Sequence, residues 1–297
     1  MRFILVSGMS GSGKSVAIRS LEDLGFYCVD NLPLPLLTQV ISQLTKSGQS
    51  DLAVSIDARS EASLAGAPAV LDGLRAAGHD VRVLFLTAST ESLVQRFSET
   101  RRRHPLSPRV SGAVPAGGHE PTLEESIERE RELLDPLYSL GYVIDTSNLR
   151  SNTLRQWVRD FVDGAPSNLT LAFESFAFKN GVPVVADFVF DVRNLPNPYY
   201  EPDLRAYTGL DAPVAEFLER SPMVAEMIDD IAKLIEKWLP SYGADGRQYL
   251  TIAVGCTGGQ HRSPYVVEKL AARIGAPGHV LSSAHGHVLI RHRGLQR

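Results

Sequence analysis

Short unbroken apolar runs alternate with stretches in which apolar residues recur every three or four positions. Residues 2–7 (RFILVS), 26–29, 52–57, 81–87 (VRVLFLT) and 142–145 read as strands. Residues 16–24, 36–44, 67–77, 91–100 and 152–162 read as helices, the first stopped by Gly25. A charged helix starts at Thr122, where Glu125 completes a capping box. Strands apolar throughout belong to a parallel sheet buried on both faces. The alternation predicts a doubly wound α/β sheet with its ligand at the carboxyl ends of the strands.

The small, polar stretch at residues 163–168 (DGAPSN) predicts a boundary, giving domains over 1–163 and 168–297. Strands are predicted again at 169–176, 187–192 and 249–255, and a helix at 263–274. Asp211 precedes a helix with Pro213 in its first turn, and Ser221 with Pro222 opens another over 223–239. This second domain is a smaller α/β unit. Residues 111–121 (SGAVPAGGHEP) and 195–200 are loop by composition.

Between the first strand and the first helix lies Gly8-Met9-Ser10-Gly11-Ser12-Gly13-Lys14-Ser15, a complete G-x-x-x-x-G-K-[ST] pattern in its required context. Glycines let the backbone wrap closely, so that successive N–H groups face one anion. The helix N-terminus adds partial positive charge. Lys14 is placed to reach β- and γ-phosphates as the catalytic cation, and the Ser15 hydroxyl to ligate Mg²⁺. Asp57, at the end of an apolar strand, suits either the catalytic Walker-B carboxylate that holds Mg²⁺ through water or a turn former, and Asp30 is a rival. Arg101, Arg102 and Arg103 precede the glycine-rich loop and fit either a lid over phosphate charge or a solvated basic helix end.

Composition narrows the classes. The chain has 297 residues, 43% hydrophobic, with net charge −4, so any nucleic-acid contact must be a local patch. Two cysteines, Cys28 and Cys256, make no disulfide framework and suit a reducing interior. No apolar run approaches a membrane span, which predicts a cytoplasmic protein without a membrane partner.

A second loop, Cys256-Thr257-Gly258-Gly259-Gln260-His261-Arg262-Ser263, also joins strand to helix. It fits noncovalent phosphate binding, cysteine-dependent phosphatase chemistry, or a structural turn with Cys256 packed as a small apolar group. Gly255 stands where such phosphatases carry histidine. The end of the chain holds Arg291, His292, Arg293 and Arg297 without acidic residues, and reads either as a phosphate-neutralising tail or as a solvated terminus.

The chain resembles the RapZ/YvcJ family of P-loop nucleotide-binding proteins over nearly its whole length. The likeness rests on GMSGSGKS (8–15), LEDLGFYCVDNLP (21–33), SIDARS (55–60), TRRRHPLS (100–107), FESFAFKNG (173–181), DVRNLPNP (191–198), TGLD (208–211), GCTGGQHRS (255–263) and RHR (291–293). The resemblance implies ATP at residues 8–15, GTP at Asp57, Ala58, Arg59 and Ser60, and weak ATP and GTP hydrolysis in a regulatory role. It implies a C-terminal domain similar to a phosphofructokinase subdomain, which binds RNA and glucosamine-6-phosphate in the RNase-adapter branch. Cys256, Thr257, Gly258, Gly259, Arg262 and Ser263 would then hold the sugar phosphate, and Arg291, His292 and Arg293 the RNA. A homo-oligomer is expected. A small-molecule kinase, with Asp30 orienting the acceptor, is the remaining alternative.

Overall fold

The computed structural model describes residues 1–58, 64–107, 121–164, 169–245, 247, 249–277, 279, 281 and 286–295. Arg59, Ser60, Arg297 and most of the 111–121 loop lie outside the described residues. The chain divides into two compact units, Met1–Phe161 and Val162–Arg297.

In the first unit, β1 (Arg2–Gly8), β2 (Tyr27–Val29), β3 (Asp51–Ser55), β4 (Asp80–Thr87) and β5 (Tyr142–Asp145) form a parallel sheet in the order β2-β3-β1-β4-β5. Its helices are α1 (Lys14–Asp23), α2 (Leu37–Lys46), α3 (Ala67–Ala76), α4 (Thr90–Thr100) and α5 (Leu123–Tyr138), with α6 (Ser151–Asp163) crossing into the second unit. Every residue of β1 after Arg2 is buried, as expected of a central strand covered on both faces. Burying side chains such as Phe3, Leu5 and Leu52 completely stabilises the unit by about 1.5–3 kcal/mol each. Strand order reverses about β1, so the crevice beyond its carboxyl end is the ligand position in such a sheet. The capping box forms as its spacing predicts: Glu125 N–H donates to Thr122 Oγ1 (3.1 Å), and Thr122 N–H to Glu125 Oε2 (2.8 Å). One boundary differs from expectation. The third strand stops at Ser55, two residues before Asp57.

In the second unit, β6 (Thr170–Ala177), β7 (Phe188–Asp191), β8 (Tyr249–Cys256) and β9 (His287–His292) form a parallel sheet in the order β7-β8-β6-β9. Its helices are α7 (Ala212–Glu219), α8 (Pro222–Ala244) and α9 (Arg262–Ile274). Helix α8 runs five residues beyond the predicted Leu239, through Pro240, and its last turn packs Tyr242 edge-on against Phe188 at 5.9 Å. Strand β9 corrects the reading of residues 287–292 as a solvated tail. His292 at its end and Arg293 just after it meet polar partners on β6 and α9, which no local pattern reveals. No helix among the described residues is long and apolar enough to cross a membrane.

Candidate phosphate-binding site

The β1–α1 connection adopts backbone conformations that only glycine accepts easily, with φ of +136° at Gly8, +84° at Gly11 and +102° at Gly13. Gly8, Met9 and Ser10 are buried, whereas Gly11 and Ser15 are exposed and Gly13 and Lys14 half-buried. The loop's carbonyls are drawn to protein donors. Arg96 Nη1 donates to Gly11 O (3.0 Å) and Thr146 Oγ1 to Ser12 O (2.9 Å). Lys14 Nζ donates to Gly8 O (2.5 Å) and Met9 O (3.1 Å). Among the described residues, the N–H groups of Gly11, Gly13 and Ser15 meet no protein acceptor. Helix α1 has neither a side-chain cap nor an acid in its first turn, so no protein carboxylate competes for its N-terminus. Carbonyls held back and amides left open are the donor arrangement a polyphosphate requires. Burial pushes the Arg96 pKa below the ordinary guanidinium value, against the opposing pull of Asp145 and Glu99.

Sequence reasoning missed Glu130. It sits among charged residues of α5 that read as a solvated helix face, yet it is fully buried. Ser10 N–H donates to its Oε2 (2.8 Å) and Ser10 Oγ to its Oε1 (2.6 Å). His104 Nε2 lies 3.1 Å from Oε2. His104 Nδ1 accepts the Leu106 N–H (3.3 Å), so Nε2 carries a proton and donates to the carboxylate. Burial works to raise the Glu130 pKa, but the His104 bond, the Lys14 charge and the two Ser10 bonds outweigh it and hold it below the ordinary 4.5. A carboxylate with a depressed folded pKa stabilises the protein above its unfolded value, and that stability is lost as pH falls through the folded value. Urea midpoints measured from about pH 7 down to about pH 3 are therefore expected to fall less steeply below 4.5 for Glu130→Gln than for the parent chain. Parallel acid limbs would show that Glu130 does not titrate with folding.

The other predicted residues gather unevenly. Asp57 follows β3 at the level of the phosphate loop, because Ile56 N–H donates to Val6 O (3.0 Å) and Ser7 Oγ to Ile56 O (3.0 Å). Asp57 and Ala58 are both buried. Asp30 accepts a hydrogen bond from Ser55 Oγ at the end of β2, with β3 between it and β1. Arg101, Arg102 and Arg103 are exposed, and α4 ends at Arg101 in a left-handed conformation (φ +51°). Among the described residues, no group of three His, Cys, Asp or Glu side chains could hold a metal by itself. A Mg²⁺ at Ser15 therefore fits only with phosphate oxygens completing its shell, as this ion prefers.

In the second unit, the 256–263 loop is built around an inward arginine. Arg262 is 5% exposed, and its Nη1 donates to Arg193 O (2.5 Å) and Leu195 O (3.1 Å). Its Nη2 donates to Thr257 Oγ1 (3.3 Å). Ser263 Oγ donates to the buried Cys256 Sγ (3.2 Å). A Cβ at Gly255 would lie 2.4 Å from Phe176 Cζ and 2.5 Å from Phe178 Cε2, so these rings leave no room for histidine there. Gly259 turns with φ +67° against Ala177, and Gly258 is open. Arg262→Ala is expected to lower the stability of this unit by about 2–4 kcal/mol, because two carbonyls lose their donor. A urea midpoint equal to that of the parent would refute this role.

Strand β9 and the residue after it place basic side chains inside the fold. Arg291 is 2% exposed, and Arg293 Nη1 pairs with the buried Glu174 Oε1 at 3.0 Å. His292 lies between Ser175 Oγ (2.8 Å from Nδ1) and Glu268 Oε1 (3.0 Å from Nε2).

A parallel sheet with a glycine cradle at its switch point defines the first unit as an α/β domain with a phosphate-binding loop. Residues 1–166 match the RapZ-like N-terminal domain and residues 169–296 the RapZ C-terminal domain. The chain belongs to the RapZ-like family, in agreement with the resemblance its motifs carry. A nucleotide-binding protein of Paraburkholderia xenovorans is 58% identical over 293 residues, 99% of this chain and 95% of that one. One from Paraburkholderia phytofirmans is 59% identical, and one from Burkholderia pseudomallei 55%, over the same shares. A sugar kinase structure from Janibacter sp. aligns with 56% of this chain and 96% of its own, at 20% identity and a TM-score of 0.35.

Proposed function

We propose that this chain binds ATP and GTP through residues 8–15 and hydrolyses them slowly in a regulatory role. The loop whose carbonyls are held by Arg96, Thr146 and Lys14, leaving amides for phosphate, carries the reading. The names of its relatives support nucleotide binding. Lys14 Nζ exchanges Gly8 O and Met9 O for phosphate oxygens, and Ser15 Oγ would contribute to a Mg²⁺ shell, with Asp57 following the neighbouring strand β3. That ion would supply neutralisation of phosphate charge. Equilibrium dialysis of the full chain with magnesium and ATP or GTP is expected to show retention at micromolar concentrations. No retention of either at millimolar levels would overturn the reading.

A second reading concerns residues 256–263. The buried His261 faces the backbone of Leu204, Arg205 and Tyr207 and lies beside an α9 N-terminus without a side-chain cap. The uncapped helix N-terminus favours a noncovalent sugar-phosphate site, glucosamine-6-phosphate by the family likeness, over a covalent phosphatase, since Arg262 already serves backbone carbonyls. An RNA-adaptor role would need contacts beyond Arg291 and Arg293, whose side chains are buried or paired.

A further inference from the structure

The phosphate loop and the arginine segment meet through one buried carboxylate. On one side Glu130 takes both polar hydrogens of Ser10, the third residue of the loop. On the other it takes the His104 Nε2 hydrogen, and His104 directly follows Arg103. Three residues span at most about 10 Å of chain, so all three arginines are tethered close to Ser10. A second link runs parallel to the first. The His104 ring packs on Phe97 at 5.2 Å, and a Cβ at Gly11 would lie 3.5 Å from Phe97 Cε2. His104 and Glu130 are sealed from solvent, whereas Arg101, Arg102 and Arg103 are exposed. The anchor is therefore rigid and the cations it carries are free to reorient. A buried carboxylate receiving three hydrogen bonds is costly to disturb, because each donor left behind loses its only charged acceptor.

We propose that Glu130 is a positioning residue which, through Ser10 and His104, sets the phosphate loop and the arginine segment as one unit around a bound triphosphate. The carboxylate does not touch the nucleotide. It holds the Ser10 amide inward, which leaves the amides of Gly11, Gly13 and Ser15 to face the ligand, and it fixes where the chain carrying the arginines leaves α4. The turnover part of this inference rests on the nucleotide site proposed above; the link between the two segments does not.

The full chain is compared with Glu130→Ala, Glu130→Gln and His104→Ala by backbone hydrogen exchange without nucleotide, and by hydrolysis of MgATP. Glutamine at 130 can keep the bond pattern. Its oxygen accepts from Ser10 N–H and His104, while its amide donates to Ser10 Oγ, so only the charge is removed. In Glu130→Ala, exchange over residues 8–15 and over 101–107 is expected to speed up together by about tenfold or more, with β1 and β4 unchanged. Its kcat is expected to fall about 100-fold, with the ATP dissociation constant within about threefold of the parent. Glu130→Gln is expected to recover most of both losses. His104→Ala, which removes one bond of the three, is expected to loosen both segments as well and keeps the question open to test if Glu130→Ala fails to fold. Faster exchange in only one segment would overturn the proposal. So would loss of rate in Glu130→Gln equal to that in Glu130→Ala, or an unchanged rate in both. Should the parent chain bind no nucleotide, the function proposed above falls, while the exchange arm still reports the link.

Discussion

Replacement of Lys14 by alanine is expected to lower MgATP hydrolysis by about 10²–10³-fold, the usual cost of removing one preorganised donor from developing charge. Lys14 opens α1, and its Nζ lies on Gly8 O and Met9 O, within the loop that would surround a β-phosphate. Those carbonyls are ligand-side positions, so the ammonium moves a short way onto a phosphate and needs no rearrangement of the fold. Alanine is a strong helix former, but two part-buried carbonyls lose their donor, so folding stability should fall by about 1–2 kcal/mol, far less than the effect on turnover. Single-turnover kinetics beside a thermal melt separates the two quantities. Hydrolysis at the parent rate in Lys14→Ala would end the assignment of this loop to turnover.

Gly8→Ala is expected to damage the fold itself. A Cβ there would lie 2.0 Å from Leu86 O and 2.6 Å from Leu86 N, in a residue with φ of +136°. Neither obstacle can move cheaply. Gly8 is in register with Leu86 in the β1–β4 ladder, and Met9 N–H donates to Leu86 O at 2.9 Å. Strain and overpacking together put the cost at about 4 kcal/mol, a large part of the stability of an ordinary domain. Gly25→Ala is the control. It shares a positive φ of +88° but meets nothing within 4 Å, so only the conformational part applies. Equal melting temperatures for the Gly8 and Gly25 variants would show that the close approach of β1 and β4 is not what requires glycine.

Much of the first unit was legible because its signals are local. The buried strands of the sheet are nearly continuous apolar runs, and the capping box at Thr122 states its own helix start. What escaped were polar residues with distant partners. Arg96 looks like one more surface cation of α4 until its guanidinium reaches Gly11 O. Gly255 looked like a missing histidine, and the Phe176 and Phe178 rings explain why that position takes no side chain. The basic end of the chain offered two readings as a tail; the structure makes 287–292 a strand because Glu174, Ser175 and Glu268 provide its partners.

By itself the sequence determined the phosphate loop, the alternation of strands and helices, and the family, since each is written in contiguous residues whose backbone geometry follows from their type. Only the tertiary structure decided which charges face water and which are buried with partners. Ser10 and Glu130 stand 120 positions apart, and a glutamate on a helix has the same local pattern whether solvent or a buried amide lies opposite. Burial and pairing are properties of the packed whole, so the brace behind the loop becomes visible only when α5 is laid against it.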